Sequence, residues 1–335
     1  MKFMMYTVRD DELPAIQEWA EQHRIEVTTV REDLDGETVR KSAGYDGICI
    51  QQRGRISDEG IYRSLHEFGM RQLATRTAGY DMIDLQLASA YGLAVTNVPA
   101  YSPRSVAELV LIQMMRLLRN LPLFEARMQV QDFRWSGLMA REVRTQTVGI
   151  IGAGRIGGTL ARMLHALGAT VVANDIVRRP ELETVLSYVS KEELLRRADI
   201  VTLHVPLLEL TRHLIDDYAL SLMKSDACLI NASRGPVVDT DALIRALKQR
   251  RIAGAALDTI DGEEHFFNTD LRTQQLPSDQ LIELRKLPNV LITPHIGFYT
   301  NMAVKNMVEI SLNDVLEVLT TARSEHQVNQ PLVRR

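Results

Sequence analysis

Three ionisable side chains stand at the ends of runs that read as β-strands: Arg234 in CLINASRGPVVD, Glu263 in ALDTIDGEE and His295 in VLITPHIGFYT. An imidazole changes charge in the neutral pH range, so a histidine at such a place can give or take a proton. A carboxylate beside it favours the charged ring and fixes its tautomer, and Glu263 is the natural partner for His295. A guanidinium is planar and grips a carboxylate through two parallel hydrogen bonds. That suits Arg234, set between Ser233 and Gly235, to an anionic substrate. Of the eight histidines, His23, His66, His165, His213, His265 and His326 lie in helical or polar stretches, and His204 in VTLHVPL reads as structural or near a cofactor.

A second constellation concerns phosphate. The string TVGIIGAGRIGGTLARMLHALGATVVAND places Gly152, Gly154 and Gly157 between a strand-like run and a helix-like run. Gly152 permits a tight turn, Gly154 lets backbone approach a pyrophosphate, and Gly157 lets the helix lie close on the strand. The phosphate then sits at a helix N-terminus. Asp175 ends the next strand run, VVAND, where a carboxylate accepts hydrogen bonds from the adenosine ribose and repels an added 2′-phosphate. NAD is the expected cofactor. Arg178 and Arg179 follow closely and read as solvated surface, with NADP the lesser alternative.

These groups need a scaffold that brings strand ends together. From the start, β-rich runs alternate with amphipathic ones: KFMMYTV, ELPAIQEWAEQH, IEVTTV, a polar helix-like stretch, YDGICI, DEGIYRSLHEF, RQLATR and LAVTNV, about five strands by Val98. Alternation of this kind argues for a parallel sheet flanked by helices. Ser102 and Pro103 open a run with helical apolar spacing through Leu118, expected to be a long, mostly buried helix. Its apolar residues exceed what one face needs, which points to deep burial or a dimer interface. After Arg144 the alternation begins again and runs to NVLITPHIG, a second α/β unit, while Met302 to Leu319 reads as a last helix returning to the first.

Composition agrees with two folded domains in 335 residues, at 45% hydrophobic and 24% charged. Lys+Arg at 39 against Asp+Glu at 43 gives a net charge of -4, with no basic excess for nucleic acid. Cys49 and Cys228 sit in apolar runs and read as buried thiols. The N-terminus reaches Arg9 too soon for a signal-peptide core, and the uncharged stretch Leu85 to Pro103 holds Gln86, Ser89, Asn97, Pro99 and Pro103, unlike a membrane helix. A cytoplasmic setting without membrane attachment is expected.

The strings TRTAGYDMID, NVPAYSPRSVAE, VGIIGAGRIG, ADIVTLHVPL, NASRGPVVD, ALDTIDGEE and NVLITPHIGFYT together resemble the NAD-dependent D-2-hydroxyacid dehydrogenases, within them the D-lactate and D-2-hydroxyisocaproate branch, over nearly the whole chain. The resemblance implies two doubly wound α/β parallel-sheet domains with a cleft between them: a flavodoxin-like substrate domain of residues 1–101 and 300–335, and a Rossmann NAD-binding domain of residues 102–299. It implies a homodimer. It further implies that Arg234 binds the 2-oxo acid carboxylate and polarises the carbonyl, and that His295 is the general acid with Glu263 as charge partner. Backbone at Ala78 and Gly79 is the implied second carboxylate anchor, and Tyr101 and Tyr299 are implied pocket contacts. On the cofactor side the matches are Arg155 and Ile156 in the pyrophosphate turn, Asp175 at the ribose, Val205 and Pro206 at the adenine, Ala232 and Ser233 beside the cofactor, and Asp258 near the nicotinamide amide. Two departures stand out: Ile296 with Gly297 replaces a small polar or alanine pair, and Ile260 replaces a common aromatic, which is expected to widen the site. The implied reaction is reduction of pyruvate or a bulkier 2-oxo acid to the D-2-hydroxy acid. D-lactate dehydrogenase is the leading expectation; the alternatives are a broad D-2-hydroxyacid dehydrogenase or a silent NAD-sensing scaffold.

Overall fold

The structure, a computed structural model, describes residues 1–52 and 54–331. It divides into two compact units: Met1–Ser102 together with the chain from Tyr299 onward, and Pro103–Phe298. No helix among the described residues is long and apolar enough to cross a membrane.

In the first unit, β1 (Lys2–Met5), α1 (Leu13–His23), β2 (Glu26–Thr29), β3 (Gly47–Ile50), α2 (Glu59–Glu67), β4 (Gln72–Thr75), α3 (Leu85–Ala90) and β5 (Ala94–Thr96) follow in order. The five strands form one parallel sheet in the order β2-β1-β3-β4-β5, the flavodoxin-like order, whose direction reverses at β1 and β3. Strands buried on both faces read as continuous apolar runs, and β3, GICI, is buried along its whole length. The C-terminal helix Asn301–Thr321 packs on β3 and β4. Gly47 makes this approach possible: a Cβ there would come within 2.4 Å of Val315 Cγ1. The polar helix-like stretch before β3 forms only a short 3-10 turn, Thr38–Ser42. Ser42 Oγ donates to the Val39 carbonyl at 2.6 Å, a local bond that competes with continued helix.

The second unit begins with α4 (Pro103–Leu118) and α5 (Leu121–Gln129), continues through β6 (Thr147–Ile151), α6 (Arg155–Ala166), β7 (Thr170–Asn174), β8 (Ser187–Tyr188), α7 (Lys191–Arg197), β9 (Ile200–Leu203), α8 (Asp217–Leu222), β10 (Cys228–Asn231), α9 (Thr240–Lys248) and β11 (Gly254–Leu257), and closes with α10 (Asp279–Arg285) and β12 (Val290–Ile292). The seven-stranded parallel sheet runs β12-β11-β10-β9-β6-β7-β8. The order reverses between β6 and β9, so the crevice beyond their carboxyl ends is where this topology binds ligands. The helical run expected from Pro103 through Leu118 is α4; Asn120, at a left-handed φ of 52°, then turns the chain into α5. Val106, Ala107, Val110, Met114, Leu117 and Leu118 of α4 are buried, whereas α5 buries nothing.

Candidate active site

At the end of β6 the chain turns through Gly152, whose φ is 93°. A side chain there would meet the His204 carbonyl oxygen at 2.4 Å, and one at Gly157 would meet the Gly152 carbonyl oxygen at 2.1 Å. Both glycines are needed for α6 to lie against the ends of β6 and β9. Gly154 differs: a Cβ built on it has nothing within 4 Å, so the space at the start of α6 is open. No side chain caps Gly154, which leaves the amides of the helix start, beginning with Arg155 and Ile156, for a phosphate. Asp175 follows β7 and accepts from the Ala153 N–H at 2.7 Å and the Val177 N–H at 2.9 Å. Arg179, expected as solvated surface, instead stands 3.6 Å from the Asp175 carboxylate and donates to the Ala153 carbonyl at 3.1 Å. Arg178 lies over the Tyr188 ring at 5.9 Å.

The other wall of this cradle comes from β9. Val205 packs toward Gly152, 3.0 Å from the place a Cβ would occupy, and the Pro206 carbonyl accepts from Thr211 Oγ1 at 2.6 Å. His204 Nε2 shares a hydrogen bond of 3.0 Å with Thr202 Oγ1. Its Nδ1 is sealed and has no partner within the described residues, and burial pushes the ring down to about 4. The neutral imidazole is therefore the form present near pH 7. An open glycine, uncapped helix amides, a carboxylate just past the end of β7 and an orphaned ring nitrogen fit a dinucleotide with its pyrophosphate at Gly154.

The ionisable cluster is built from β10, β11 and β12. Beyond β10, Asn231 staples the next turn: its Oδ1 accepts from Ser233 N–H at 3.1 Å and Ser233 Oγ at 2.8 Å, and its Nδ2 donates to the Arg234 carbonyl at 2.9 Å. Ala232 is half-buried in this turn. Arg234 also donates to the Ser233 carbonyl at 2.9 Å. A Cβ at Gly235 would strike Ile260 and Asp261 backbone at 2.2 and 2.3 Å, so the Arg234 turn lies directly on the loop that bears Glu263.

Beyond β11, Asp258 is 1% exposed and organises the chain after β12. Its Oδ1 accepts from Thr293 Oγ1 at 2.6 Å and Ile296 N–H at 2.9 Å, and its Oδ2 accepts from Gly297 N–H at 2.8 Å. The His295 N–H donates to the Asp258 carbonyl at 2.9 Å, and His295 itself is held at a left-handed φ of 55°. Non-glycine residues avoid that region unless their surroundings over-determine it. The reward is a placed imidazole: Nδ1 bonds Glu263 Oε1, and Glu263 Oε2 accepts from the Ile260 N–H at 2.9 Å. The side-chain bonds of Asp258 go to Thr293, Ile296 and Gly297 of the His295 turn, alongside its expected place near the nicotinamide amide.

Several contacts went unread in the sequence. Phe298 stands edge-on to His295 with ring centroids 6.3 Å apart, and Gln113 Nε2 of α4 donates to Thr293 Oγ1 at 2.9 Å. An aromatic three residues past His295 was the available signal for Phe298. Ile260, expected to widen the site, is 2% exposed and belongs to the buried cluster that also holds Phe266. Ala78, Gly79, Tyr101 and Tyr299 belong to the first unit. Ala78 and Gly79 are half-buried past β4, the Tyr101 carbonyl accepts from Asn306 Nδ2 at 2.7 Å, and the half-exposed Tyr299 ring has the Arg9 guanidinium 5.8 Å from its centroid.

Residues 111–297 match the family described as D-isomer specific 2-hydroxyacid dehydrogenase, NAD binding domain. A D-2-hydroxyacid dehydrogenase (NAD(+)) of Clostridioides difficile is 42% identical over 332 residues, spanning 98% of this chain and 100% of its own. Among solved structures, a D-lactate dehydrogenase from Sporolactobacillus sp is 67% identical with a TM-score of 0.85, covering 99% of this chain and 100% of that one. The NAD-complexed D-isomer specific 2-hydroxyacid dehydrogenase of Lactobacillus delbrueckii ssp. bulgaricus is 40% identical with a TM-score of 0.87, covering 98% and 100%.

Proposed function

This chain belongs to the D-isomer specific 2-hydroxyacid dehydrogenase family and is an NAD-dependent enzyme of that type; from that premise we propose that pyruvate is its leading substrate and D-lactate the product. What supports pyruvate is the likeness to D-lactate dehydrogenases, and what supports reduction of a keto group is the Glu263–His295 pair on the Asp258-held turn. With Nδ1 bonded to Glu263, Nε2 is the ring nitrogen left to meet a substrate oxygen.

NADH, when bound at the Gly154 cradle, supplies the hydride for the 2-carbon of the oxo acid. The chain does the rest. Arg234 takes the substrate carboxylate through its planar fork, fixing the reacting carbon and compensating the charge. His295, protonated for ketone reduction, gives the proton from Nε2 to the oxygen as negative charge develops there, and the Glu263 carboxylate stabilises the charged imidazole beforehand. Backbone at Ala78 and Gly79 is the second carboxylate contact, and Tyr101 and Tyr299 bear on the substrate side chain. In the oxidative direction neutral His295 takes the proton back.

The same reading includes a homodimer. Leu121 and Met128 of α5, with Val130, Phe133, Trp135 and Met139 after it, are all at least 40% exposed, and Trp135 and Met139 reach 81% and 92%. Monomeric proteins seldom expose so many large apolar side chains along one segment, and a second copy of the same segment is the self-complementary cover that twofold symmetry supplies. Trp135→Asp should yield monomers by sedimentation where the parent sediments as a dimer. Both cysteines are buried free thiols, in keeping with a cytoplasmic setting.

The deciding experiment is NADH oxidation by the purified protein with pyruvate, 2-oxoisocaproate and phenylpyruvate, comparing kcat/KM and resolving the product on a chiral column. Preference for pyruvate with D-lactate formed supports the proposal. Preference for the larger acids makes this a broad D-2-hydroxyacid dehydrogenase, and NADH binding with no turnover on any of them overturns the catalytic roles assigned above.

A further inference from the structure

Asn97 comes directly after β5 and is 6% exposed. Its side-chain Nδ2 donates to the Ala78 carbonyl at 2.6 Å. A trans peptide is planar with its C=O and N–H pointing to opposite sides, so fixing the Ala78 oxygen also aims the Gly79 N–H away from Asn97. The following peptide is fixed as well. Thr77 Oγ1 donates to the Gly79 carbonyl at 2.5 Å, and the Val98 N–H donates to the Thr77 carbonyl at 2.9 Å. Both peptide planes of the Ala78–Gly79 turn are thus held by side chains of Asn97 and Thr77.

Asn97 is in turn held from the far end of the chain. After the C-terminal helix, the tail lies antiparallel beside β5: Thr96 bridges Gln327, the Val328 N–H donates to the Val95 carbonyl at 2.8 Å, and the Asn97 N–H donates to the His326 carbonyl at 3.3 Å. The tail thereby pairs the edge of the parallel sheet that β5 would otherwise leave open. Its own anchors are specific. Asn329 accepts from the Val95 N–H at 2.7 Å through Oδ1 and donates through Nδ2 to Ser89 Oγ and the Leu93 carbonyl, both at 2.9 Å. Asp314, 3% exposed on the C-terminal helix, takes Ser324 Oγ at 2.7 Å and His326 Nδ1 at 3.0 Å.

We propose that Asn97 is a positioning residue for the substrate carboxylate, aiming the Gly79 N–H through its bond to the Ala78 carbonyl, and that residues 324–329 form the strap that keeps Asn97 in place. This rests on the reading that Ala78 and Gly79 contact the carboxylate. It assigns a function to residues 324–329, and it predicts a defect common to all 2-oxo acids, since every one presents the same carboxylate.

Asn97→Ala, Asn97→Asp, Asn329→Ala and Arg234→Ala are assayed as full-length proteins with pyruvate, phenylpyruvate and NADH. Loss of one buried hydrogen bond to the anchor should raise the KM for both oxo acids about tenfold in Asn97→Ala, with kcat and the KM for NADH within about twofold of the parent. Asn97→Asp, which removes the donor at unchanged size, should do at least as much. Asn329→Ala, which leaves Asn97 itself intact, should raise the same KM values by about threefold. Wild-type KM values for the oxo acids in Asn97→Ala, or an equal rise in the KM for NADH, would overturn the proposal. Should Asn97→Ala not fold, unchanged oxo-acid KM values in Asn329→Ala overturn it instead. Arg234→Ala separates the two levels: full turnover in that variant sinks the carboxylate reading itself, whereas a crippled Arg234→Ala beside a normal Asn97→Ala sinks only the role given to Asn97 and the tail.

Discussion

Replacing Asp258 by Asn tests whether the buried carboxylate is what holds the catalytic turn. The side chain keeps its shape, but one of its two oxygens becomes an NH2. With the amide in one orientation the Gly297 N–H faces a donor; with the other, the Ile296 N–H does, because these two backbone groups sit on opposite oxygens. One buried N–H is stranded either way, and an unmade buried bond of this kind costs about 1–3 kcal/mol. The two bonds that survive lose their charge assistance, roughly half their strength, or about 1 kcal/mol each. Relief from burying a charge offsets part of this, leaving a net loss of about 2–3 kcal/mol. The strain released is that of His295 at φ 55°, so the loss falls on the turn that aims the imidazole at Glu263. Steady-state kinetics should show kcat down about 10- to 100-fold, as for removal of a group that orients a catalytic residue, with NADH affinity nearly preserved. Thermal unfolding should show a lower midpoint. A variant with parental kcat and a lowered midpoint refutes the positioning argument, since the turn would then be dispensable for aiming His295. Selective loss of NADH binding would instead support the expected place of Asp258 near the nicotinamide amide.

Glu263→Gln should lower kcat for ketone reduction by about 10- to 100-fold while pyruvate KM changes little, because the amide cannot stabilise a charged His295; parental kcat would remove Glu263 from the proton step. Gly157→Ala and Gly154→Ala should separate packing from binding. The first puts a methyl 2.1 Å from the Gly152 carbonyl and should lower both stability and NADH affinity, whereas the second meets nothing within 4 Å and should weaken NADH binding about tenfold or more with a much smaller change in thermal midpoint. Asp175→Ala should free Arg179 from its carboxylate and shift kcat/KM toward NADPH at least tenfold, and unchanged preference would mean that neither Arg178 nor Arg179 reaches the 2′-phosphate. His204 titrates at about 4 when folded against an ordinary 6.5, so the unfolded chain binds more protons in that window. The stability this ring contributes is complete above about pH 6.5 and falls as pH drops toward 4, by at most about 3 kcal/mol. Denaturant unfolding at pH 7, 5.5 and 4.5 should show this slope in the parent and lose it in His204→Gln.

Much of the architecture was legible because parallel strands buried on both faces announce themselves as short apolar runs, and βαβ units separate them at regular intervals. TVGII, GICI and CLIN are strands for that reason, and the glycines after β6 are legible because only a residue without Cβ fits where backbone must pass within 2–3 Å of backbone. Glu263 and His295 were legible as a pair because acid–base chemistry restricts the residue types. Local sequence carried less about the polar segments. The stretch before β3 looks helical yet makes a single 3-10 turn. What only the tertiary structure decided are the contacts between residues distant in the chain that hold the functional groups at their angles. Asp258 binds the amides of Ile296 and Gly297, Gln113 reaches Thr293, and Asn97 reaches Ala78 while residues 324–329 hold β5. Residue type fixes what chemistry a side chain is capable of. Direction comes from hydrogen bonds whose partners lie tens to hundreds of residues away, and those exist only once the sheets have formed.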